Sequence, residues 1–330
     1  MSHKSFGSSL GPTMVRHLTL KEALGRRYDA EGRHLAHLDR FLAADGGAEL
    51  TVTTFAAWCR TFTHLKSGVR RARMHAARNL CLYARRTDPN CFVPDATQFP
   101  PQHQRIRPHI FTEDEVVRVL KAAEGLQPSY NSPLQREVFR LAIVLLYTTG
   151  LRRRELVRLT LADWDPAERT LLVRTSKFFK SRLVPLSKDA SSELLSYLAI
   201  LAGHGVPLLA DTPLLWHRSP QRGAYTGEGM GQALRRLFRA AGVHAVAGGT
   251  PRTHDLRHTF AVHALLRWYR AGNDVQAKLP HLSTFMGHVS IDSTRYYLHF
   301  VQPLADAASK RFADHCGALV VVAPATRVGS

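Results

Sequence analysis

The sequence has 330 residues, enough for two domains with a substantial core, and its hydrophobic fraction of 45% is ordinary for a soluble globular protein. It contains no apolar run of about 18 residues, so we expect no membrane span. Its formal net charge of +19, from 45 Lys and Arg against 26 Asp and Glu, indicates a polyanionic partner, most often nucleic acid. The alternative is a generally basic, highly soluble protein.

The cysteines indicate neither disulfides nor a zinc site, because no two of them form a CxxC pair. The four cysteines are Cys59, Cys81, Cys91 and Cys316. We expect them to be buried thiols in a reducing cytoplasm.

The first third of the chain predicts a helical domain over residues 14–100. Residues 1–13 are small and polar, without the apolar segment of a signal peptide, and we expect a disordered tail there. Leucines at spacings of three or four predict a helix over Glu31–Ala44. Aromatic residues at similar spacings predict another helix around Trp58.

A helix beginning at Ser67 carries a row of arginines. Its predicted apolar face consists of Val69, Ala72, Ala76, Leu80 and Tyr83. The arginines on its other faces include Arg70, Arg71, Arg78 and Arg85. This pattern is typical either of a solvated basic surface or of a surface that binds DNA phosphates. Together with the net charge it favours DNA binding, and it indicates no sequence preference.

Proline-rich sequence predicts an extended linker over residues 101–109, followed by a second domain over residues 110–316 and a C-terminal tail over residues 317–330. The second domain opens on a predicted helix. Thr112 and Glu115 have the spacing of a capping box at its N-terminus.

A nearly all-apolar helix over Leu134–Tyr147 is predicted to be buried and to end at Gly150. Arg152 follows immediately, with Glu155 three residues further on. This spacing predicts an ion pair that fixes the guanidinium in place. The alternative is a group of surface arginines.

Two strands are predicted over Thr170–Thr175 and Arg182–Leu186. The turn between them carries Lys177 and Lys180. The tip of such a hairpin can reach a DNA groove or an active site, although a lysine at a hairpin tip is usually solvated.

Histidines appear twice near the end of the chain. His254 and Arg257 are three residues apart, so they share a helix face. His254 and His258 have a spacing that zinc ligands use, but the arginine between them disfavours a cation and predicts an anion site without metal. Further along, His288 and Tyr297 are nine residues apart.

Five motifs in this order resemble those of the tyrosine recombinases, the phage-integrase family of site-specific DNA recombinases. They are Arg152 in Thr-Gly-Leu-Arg-x-x-Glu-Leu, Lys177 before Arg-Leu-Val-Pro-Leu, His254-x-x-Arg257, Gly287-His288, and Tyr297. The resemblance covers the whole second domain, and the first domain resembles the family's core-binding domain in its organisation. Two departures are Phe178-Phe179 at the hairpin turn, where glycine is usual, and Met286, where leucine is commoner.

The resemblance implies a mainly α-helical catalytic domain with a small antiparallel β-sheet, and two domains that close around DNA as a clamp. It implies that Tyr297, rather than the adjacent Tyr296, attacks a phosphodiester. The products are a 3′-phosphotyrosyl link and a free 5′-hydroxyl, formed without metal, ATP or another cofactor.

The resemblance also implies roles for the other residues. Arg152, Arg257 and His288 donate hydrogen bonds to the phosphate oxygens. His254 transfers the phenol proton, and Lys177 protonates the departing 5′-oxygen. The remaining roles are those of Glu155, which orients Arg152 or His254, and of Lys180 and Arg182, which hold DNA phosphates.

The expected partners are double-stranded DNA with a specific recombination site and further copies of the chain, as a tetramer in the synaptic complex, with or without partner recombinases. We expect the protein in the bacterial cytoplasm at the nucleoid, away from membranes, acting in the integration or transposition of a mobile element or in chromosome resolution. A C-terminal helix over Pro303–Cys316 is expected to dock on a neighbouring subunit or to pack on its own domain. The alternatives are a type IB topoisomerase and a DNA-binding protein without catalysis.

Overall fold

The computed structural model of the chain describes residues 6–25, 28–44, 46, 49–101, 107–174, 181–218, 223–246, 248–288 and 290–299. The chain divides into two compact units, Met1–Ile106 and Arg107–Ser330, and the division falls within the predicted linker. No helix in the described part is long and apolar enough to cross a membrane. The predicted C-terminal helix over Pro303–Cys316 lies outside the described residues.

The first unit is built from helices. They are α1 (Gly11–Ala23), α2 (Asp29–Ala44), α3 (Val52–Arg60) and α4 (Ser67–Ala84), with a short 3-10 helix at Ala96–Gln98. The core contains the leucines predicted on α2 and the aromatic residues predicted on α3, with Trp58 fully buried among them. Apolar spacing therefore predicted the buried faces of α2 and α3 correctly.

The expectation of a disordered tail over residues 1–13 is wrong for the part that the structure describes, because α1 already begins at Gly11. The buried carboxylate of Asp39 accepts hydrogen bonds from the backbone N–H groups of Gly7 and Ser8, each at 2.9 Å, and from the Ser8 hydroxyl at 2.6 Å. Burial alone raises the pKa of Asp39, but these hydrogen bonds lower it below its ordinary value. A distant carboxylate thus fixes a segment whose composition indicates disorder.

The predicted apolar face of α4 is partly wrong. Val69 is 41% exposed and Ala72 is also exposed, whereas the buried residues of α4 are Met74, Ala76, Ala77, Leu80 and Cys81. The helix packs against α1 and α2 with a face on which buried residues recur at spacings of three and four from Met74. The face of α4 is therefore rotated from the predicted one at its N-terminal end.

The thiols of the first unit are free, and burial raises the pKa of Cys59 to about 11 and of Cys81 to about 12. Cys91 is also a free thiol, and burial raises its pKa as well. Cys316 lies outside the described residues.

The second unit is mainly helical. Its helices are α5 (Glu113–Glu124), α6 (Gln135–Thr149), α7 (Arg153–Leu156), α8 (Lys188–Gly203), α9 (Gly227–Ala240), α10 (Thr253–Arg270), α11 (Val275–Met286) and α12 (Asp292–His299). Its strands are β1 (Trp164–Asp165), β2 (Thr170–Val173) and β3 (Arg182–Pro185), and they form one antiparallel sheet in the order β1-β2-β3. In the described part, Leu171 pairs with Val184 across the predicted hairpin. The predicted fold class, mainly α with a small antiparallel sheet, is confirmed.

Two helix ends follow local rules that the sequence predicted. Thr112 and Glu115 form the capping box at the start of α5, with the side chain of each bonded to the backbone N–H of the other. The buried helix α6 ends at Gly150, which has a φ of 63°. A side chain at Gly150 would also place its Cβ 2.5 Å from Phe260, so this turn requires glycine.

Candidate active site

Three arginines from different parts of the second unit converge on the C-terminal end of α11. Their acceptors are three successive backbone carbonyls, which intrahelical hydrogen bonds leave free at a helix end. The bonds are Arg182 Nε to Phe285 O at 2.9 Å, Arg257 Nη2 to Met286 O at 2.6 Å and Arg152 Nη2 to Gly287 O at 2.8 Å. The negative end of the helix dipole also favours cations here. The end of α11 therefore gathers three guanidinium groups in one place.

Gly287 at the end of α11 and Gly150 at the end of α6 let the guanidinium groups approach the backbone closely. Gly287 has a φ of 66°, and a Cβ there would lie 2.9 Å from Nη1 of Arg182. The carbonyl of Gly150, at the end of α6, accepts a further bond from Arg257 Nη1 at 2.5 Å. Arg257 is only 1% exposed and is held between the ends of two helices.

Glu155 lies between two of the arginines. Its Oε1 accepts a hydrogen bond from Arg152 Nη1 at 2.7 Å, and its Oε2 accepts one from Arg182 Nη2 at 2.8 Å. Burial alone would raise the pKa of this carboxyl, but the bonds and charges of Arg182 and Arg152 lower it to about 2. Glu155 is therefore ionised at neutral pH, and with Arg257 the cluster carries two more positive charges than negative ones.

Burial and like charges destabilise the charged form of Arg257, whereas the charged form of Glu155 is stabilised. Burial first, and then the positive charge of Arg152, lower the pKa of its guanidinium to about 9. Both causes disfavour the charged form, so an anion bound beside Arg257 would stabilise it. The electrostatics of the cluster thus favour an anionic ligand.

Aromatic rings and imidazoles form the other side of the site. Tyr297 on α12 is 3% exposed, and its ring lies 5.4 Å from that of His258 and 6.3 Å from that of His288, between centroids. The His258 ring also contacts that of His254 edge-on, at 4.7 Å between centroids. The helices α10, α11 and α12 therefore bring the predicted nucleophile and three imidazoles together.

The three imidazoles are neutral at pH 7. Burial and then positive or imidazole neighbours lower the pKa of His254 and His288 to about 3 and that of His258 to about 4. His254 nevertheless remains accessible at the surface, so a ligand can reach it. A neutral imidazole can accept a proton on one nitrogen and donate one from the other.

Thr294 fixes the orientation of His288. Its hydroxyl is fully buried and lies 2.7 Å from His288 Nδ1. When this hydroxyl donates to Nδ1, the neutral ring carries its proton on Nε2 and can donate it to a phosphate oxygen. The helix that carries Thr294 begins at Asp292, whose backbone N–H donates to the Ser290 hydroxyl at 3.1 Å.

We expect Thr294→Val to slow the DNA cleavage that the resemblance implies by about tenfold, less than the roughly hundredfold loss typical when a donor to the reacting phosphate is removed entirely. Valine has nearly the same shape but cannot hold the His288 ring by a hydrogen bond. The measurement is single-turnover cleavage of a suicide substrate. Thr294→Ser, which keeps the hydroxyl, is the control and should stay near wild type. Equal losses in both variants would contradict a role for the hydrogen bond.

The structure thus brings six predicted site residues into one cluster of the second unit. They are Arg152, Glu155, His254, Arg257, His288 and Tyr297. Lys177 and Lys180 lie outside the described residues. Among the described residues, no group of three or more His, Cys, Asp or Glu could hold a metal ion.

The arginines predicted to bind DNA differ in their surroundings. The prediction that Arg182 holds DNA phosphates needs correction, because its side chain is 10% exposed and three of its N–H groups are bonded to Glu155 and to a backbone carbonyl. Arg71 donates one N–H to the carbonyl of Pro100 at 2.7 Å, and Arg85 is exposed and donates to the carbonyl of Pro89. The remaining two, Arg70 and Arg78, are half-buried on α4.

Sequence reasoning missed Thr294 and the internal role of Arg182. Thr294 precedes Tyr297 by three residues, so helical spacing places it on the same face as the tyrosine. No comparable signal exists for Arg182, whose partners lie 27 and 103 residues away in the sequence.

The chain matches known proteins along most of its length. Residues 109–302 match the family model described as the phage integrase family. A putative integrase/recombinase of Sinorhizobium fredii is 31% identical over 312 residues, which cover 94% of this chain and 98% of the relative. The tyrosine recombinase XerD of Mycobacterium tuberculosis is 35% identical over 202 residues, which cover 60% of this chain and 58% of its own.

Two solved structures of similar fold are DNA complexes. The site-specific recombinase XerH bound to a palindromic difH substrate has a TM-score of 0.63 and 18% identity, over 93% of this chain and 90% of the other. The Tn1549 transposon integrase in complex with transposon right-end DNA has a TM-score of 0.62 and 18% identity, over 91% and 99%. At such identity these likenesses establish the fold. Because the family model and the full-length relative agree, the chain belongs to the phage integrase family, the tyrosine recombinases.

Proposed function

We propose that this tyrosine recombinase cuts and rejoins DNA at a specific recombination site, with Tyr297 as its nucleophile. The observation that carries the proposal is the positive pocket of Arg152 and Arg257 beside the rings of Tyr297 and His288. A phosphodiester in this pocket would meet guanidinium donors and a neutral imidazole donor at once. It would also lie near the phenol that attacks it.

In the proposed reaction, Oη of Tyr297 attacks the phosphorus in line and the bond between phosphorus and the 5′-oxygen breaks. The phenol proton passes to His254, and the 5′-oxygen takes a proton from Lys177. A bound phosphodiester adds negative charge near His254, so we expect its pKa to rise in the complex and its strength as a base to increase. The reverse reaction, with a 5′-hydroxyl of another strand as nucleophile, rejoins the DNA.

The proposed chemistry uses no metal ion and no nucleotide. Charge that develops on the non-bridging oxygens is met by Arg152, Arg257 and His288, which supply fixed donors of the kind that stabilise transition states strongly. The phosphotyrosyl bond retains the energy of the phosphodiester, so rejoining needs no ATP.

Double-stranded DNA is the proposed partner, bound in the bacterial cytoplasm at the nucleoid. The related structures support it, since the lambda integrase dimer, for example, is bound to a core site. We propose that four copies assemble on two duplexes and exchange strands, alone or with partner recombinases. The proposed role is the integration or transposition of a mobile element, or chromosome resolution.

Mapping covalent cleavage sites tests the proposed site specificity. The protein is incubated with fragmented genomic DNA, the adducts are trapped on a denaturing medium, and the attached ends are sequenced. We expect one recurrent site with protein on the 3′ end. Efficient relaxation of a plasmid that lacks this site would contradict a recombinase and indicate topoisomerase activity.

Arg78 on α4 is expected to contribute to the salt dependence of DNA binding. One phosphate contact contributes roughly 0.9 to the slope of log K against log salt, so Arg78→Gln should reduce the slope by about that amount. The measurement is a binding titration at several salt concentrations. Arg16→Gln is the control, because Arg16 is exposed on α1 and is not predicted to contact DNA. Equal slopes for Arg78→Gln and wild type would remove Arg78 from the DNA-binding surface.

A further inference from the structure

Arg182 connects the β-hairpin to the positive pocket of Arg152 and Arg257. It is the first residue of β3, the strand that follows the segment carrying Lys177. Its guanidinium reaches away from the sheet to the carbonyl of Phe285 at 2.9 Å and to both carboxylate oxygens of Glu155, at 3.2 and 2.8 Å. One side chain therefore joins the hairpin, α7 and the end of α11.

Glu155 in turn holds Arg152, which is the more exposed of its two partners. The side chain of Arg152 is 26% exposed, against 10% for Arg182. Oε1 of Glu155 accepts from both guanidinium groups, at 2.7 Å from Arg152 Nη1 and 3.2 Å from Arg182 Nη1. Arg152 is thus the partner of Glu155 that a ligand can reach, and Arg182 is the partner on the buried side of the carboxylate.

We propose that Arg182 is a positioning residue for DNA cleavage, which holds Glu155 and the end of α11 so that Arg152 and His288 meet the scissile phosphate. The inference rests on the proposed function. A direct phosphate contact is disfavoured, because three N–H groups of Arg182 are already bonded inside the protein. Gly287 gives this guanidinium its room, since a Cβ there would lie 2.9 Å from Nη1.

Lysine cannot replace arginine in this arrangement. The guanidinium donates to a carbonyl from Nε and to two carboxylate oxygens from its terminal nitrogens, a planar fork that a lysine ammonium does not provide. We therefore expect Arg182→Lys to keep the local charge but to lose the link between Phe285 and Glu155. Comparing Arg182→Lys, which keeps the positive charge, with Arg182→Gln, which removes it, separates the effect of geometry from the effect of charge.

A pH profile distinguishes this role from general loss of structure. Burial alone would raise the pKa of Glu155, but its bonds to Arg182 and Arg152 lower it to about 2. The positive charge of Arg257 lies nearby. Without Arg182, burial is opposed only by the remaining arginines, so the pKa of Glu155 should rise. Cleavage that needs the ionised carboxylate is fully active above this pKa and falls as the pH drops through it. The acid limb of the variant should therefore lie at higher pH than that of wild type.

The experiment measures suicide-substrate cleavage against pH, together with the salt dependence of DNA binding, for full-length proteins. We expect Arg182→Gln to cleave at least about tenfold more slowly at pH 7, to show an acid limb shifted to higher pH, and to keep the wild-type salt slope. The double variant Arg182→Gln with Glu155→Gln should not show this shift. Arg140→Gln is the control, because Arg140 also bonds two carboxylates, those of Glu124 and Glu193, but on α6 outside the pocket.

Three results would overturn the proposal. A salt slope reduced by roughly 0.9 would make Arg182 a phosphate ligand. A slower rate with an unchanged pH profile in Arg182→Lys and Arg182→Gln would show that Arg182 does not act through Glu155. Cleavage by these variants at the wild-type rate would show the same. Absence of any adduct from wild type would instead overturn the proposed function itself.

Discussion

The variant Tyr297→Phe is expected to form no covalent adduct with DNA, whereas wild type is trapped on the 3′ end of a nicked suicide substrate. The substitution removes only the phenol oxygen, and the ring keeps its packing in a core of α10 and α11 residues. Folding and DNA binding should therefore remain at wild-type levels. The measurement is the protein–DNA band on a denaturing gel, with an equilibrium binding assay on the uncut site.

Tyr296→Phe is the matched control, since Tyr296 is the neighbouring residue with the same chemistry. This variant should keep the adduct. Loss of the adduct in Tyr296→Phe, with its retention in Tyr297→Phe, would reassign the nucleophile. Retention in both variants would contradict the mechanism as a whole.

Local rules predicted the regular elements because the relevant interactions are close in sequence. The capping box of α5 and the glycine end of α6 each depend on residues within a few positions of one another. The segment before α1 and the face of α4 depend instead on distant partners. Asp39 lies 31 residues from Ser8, so no local pattern could indicate the order of that segment.

The candidate site divides in the same way. Residue type and order indicated the arginines, histidines and tyrosine, because the family's chemistry needs those groups. The sequence could not indicate what holds them, since backbone carbonyls have no signature in a sequence. The carbonyl of Gly287 lies 135 residues from Arg152, and that of Met286 lies 29 residues from Arg257. The role of the C-terminal end of α11 in positioning the three arginines could be recognised only in the three-dimensional structure.

Arg257→Lys is expected to reduce the rate of DNA cleavage by at least about a hundredfold, although it preserves a positive charge. Arg257 already donates to the carbonyls of Gly150 and Met286, and its planar guanidinium still has N–H groups for a phosphate oxygen. A lysine ammonium cannot span the two carbonyls and the phosphate together. The pocket also disfavours an isolated cation, as the lowered pKa of Arg257 indicates. The measurement is single-turnover cleavage at saturating protein, which separates the chemical step from DNA binding.

Arg267→Lys is the control for this prediction, because Arg267 is an exposed residue on the same helix, α10, and should tolerate the change. The thermal stability of both variants shows whether any loss of rate reflects loss of folded protein. A well-folded Arg257→Lys variant within tenfold of the wild-type rate would mean that charge alone suffices at this position. The two carbonyl bonds would then hold the helix ends together without orienting a donor. If instead the rate falls while DNA affinity persists, the geometry set by Gly150 and Met286 is required for the reaction itself.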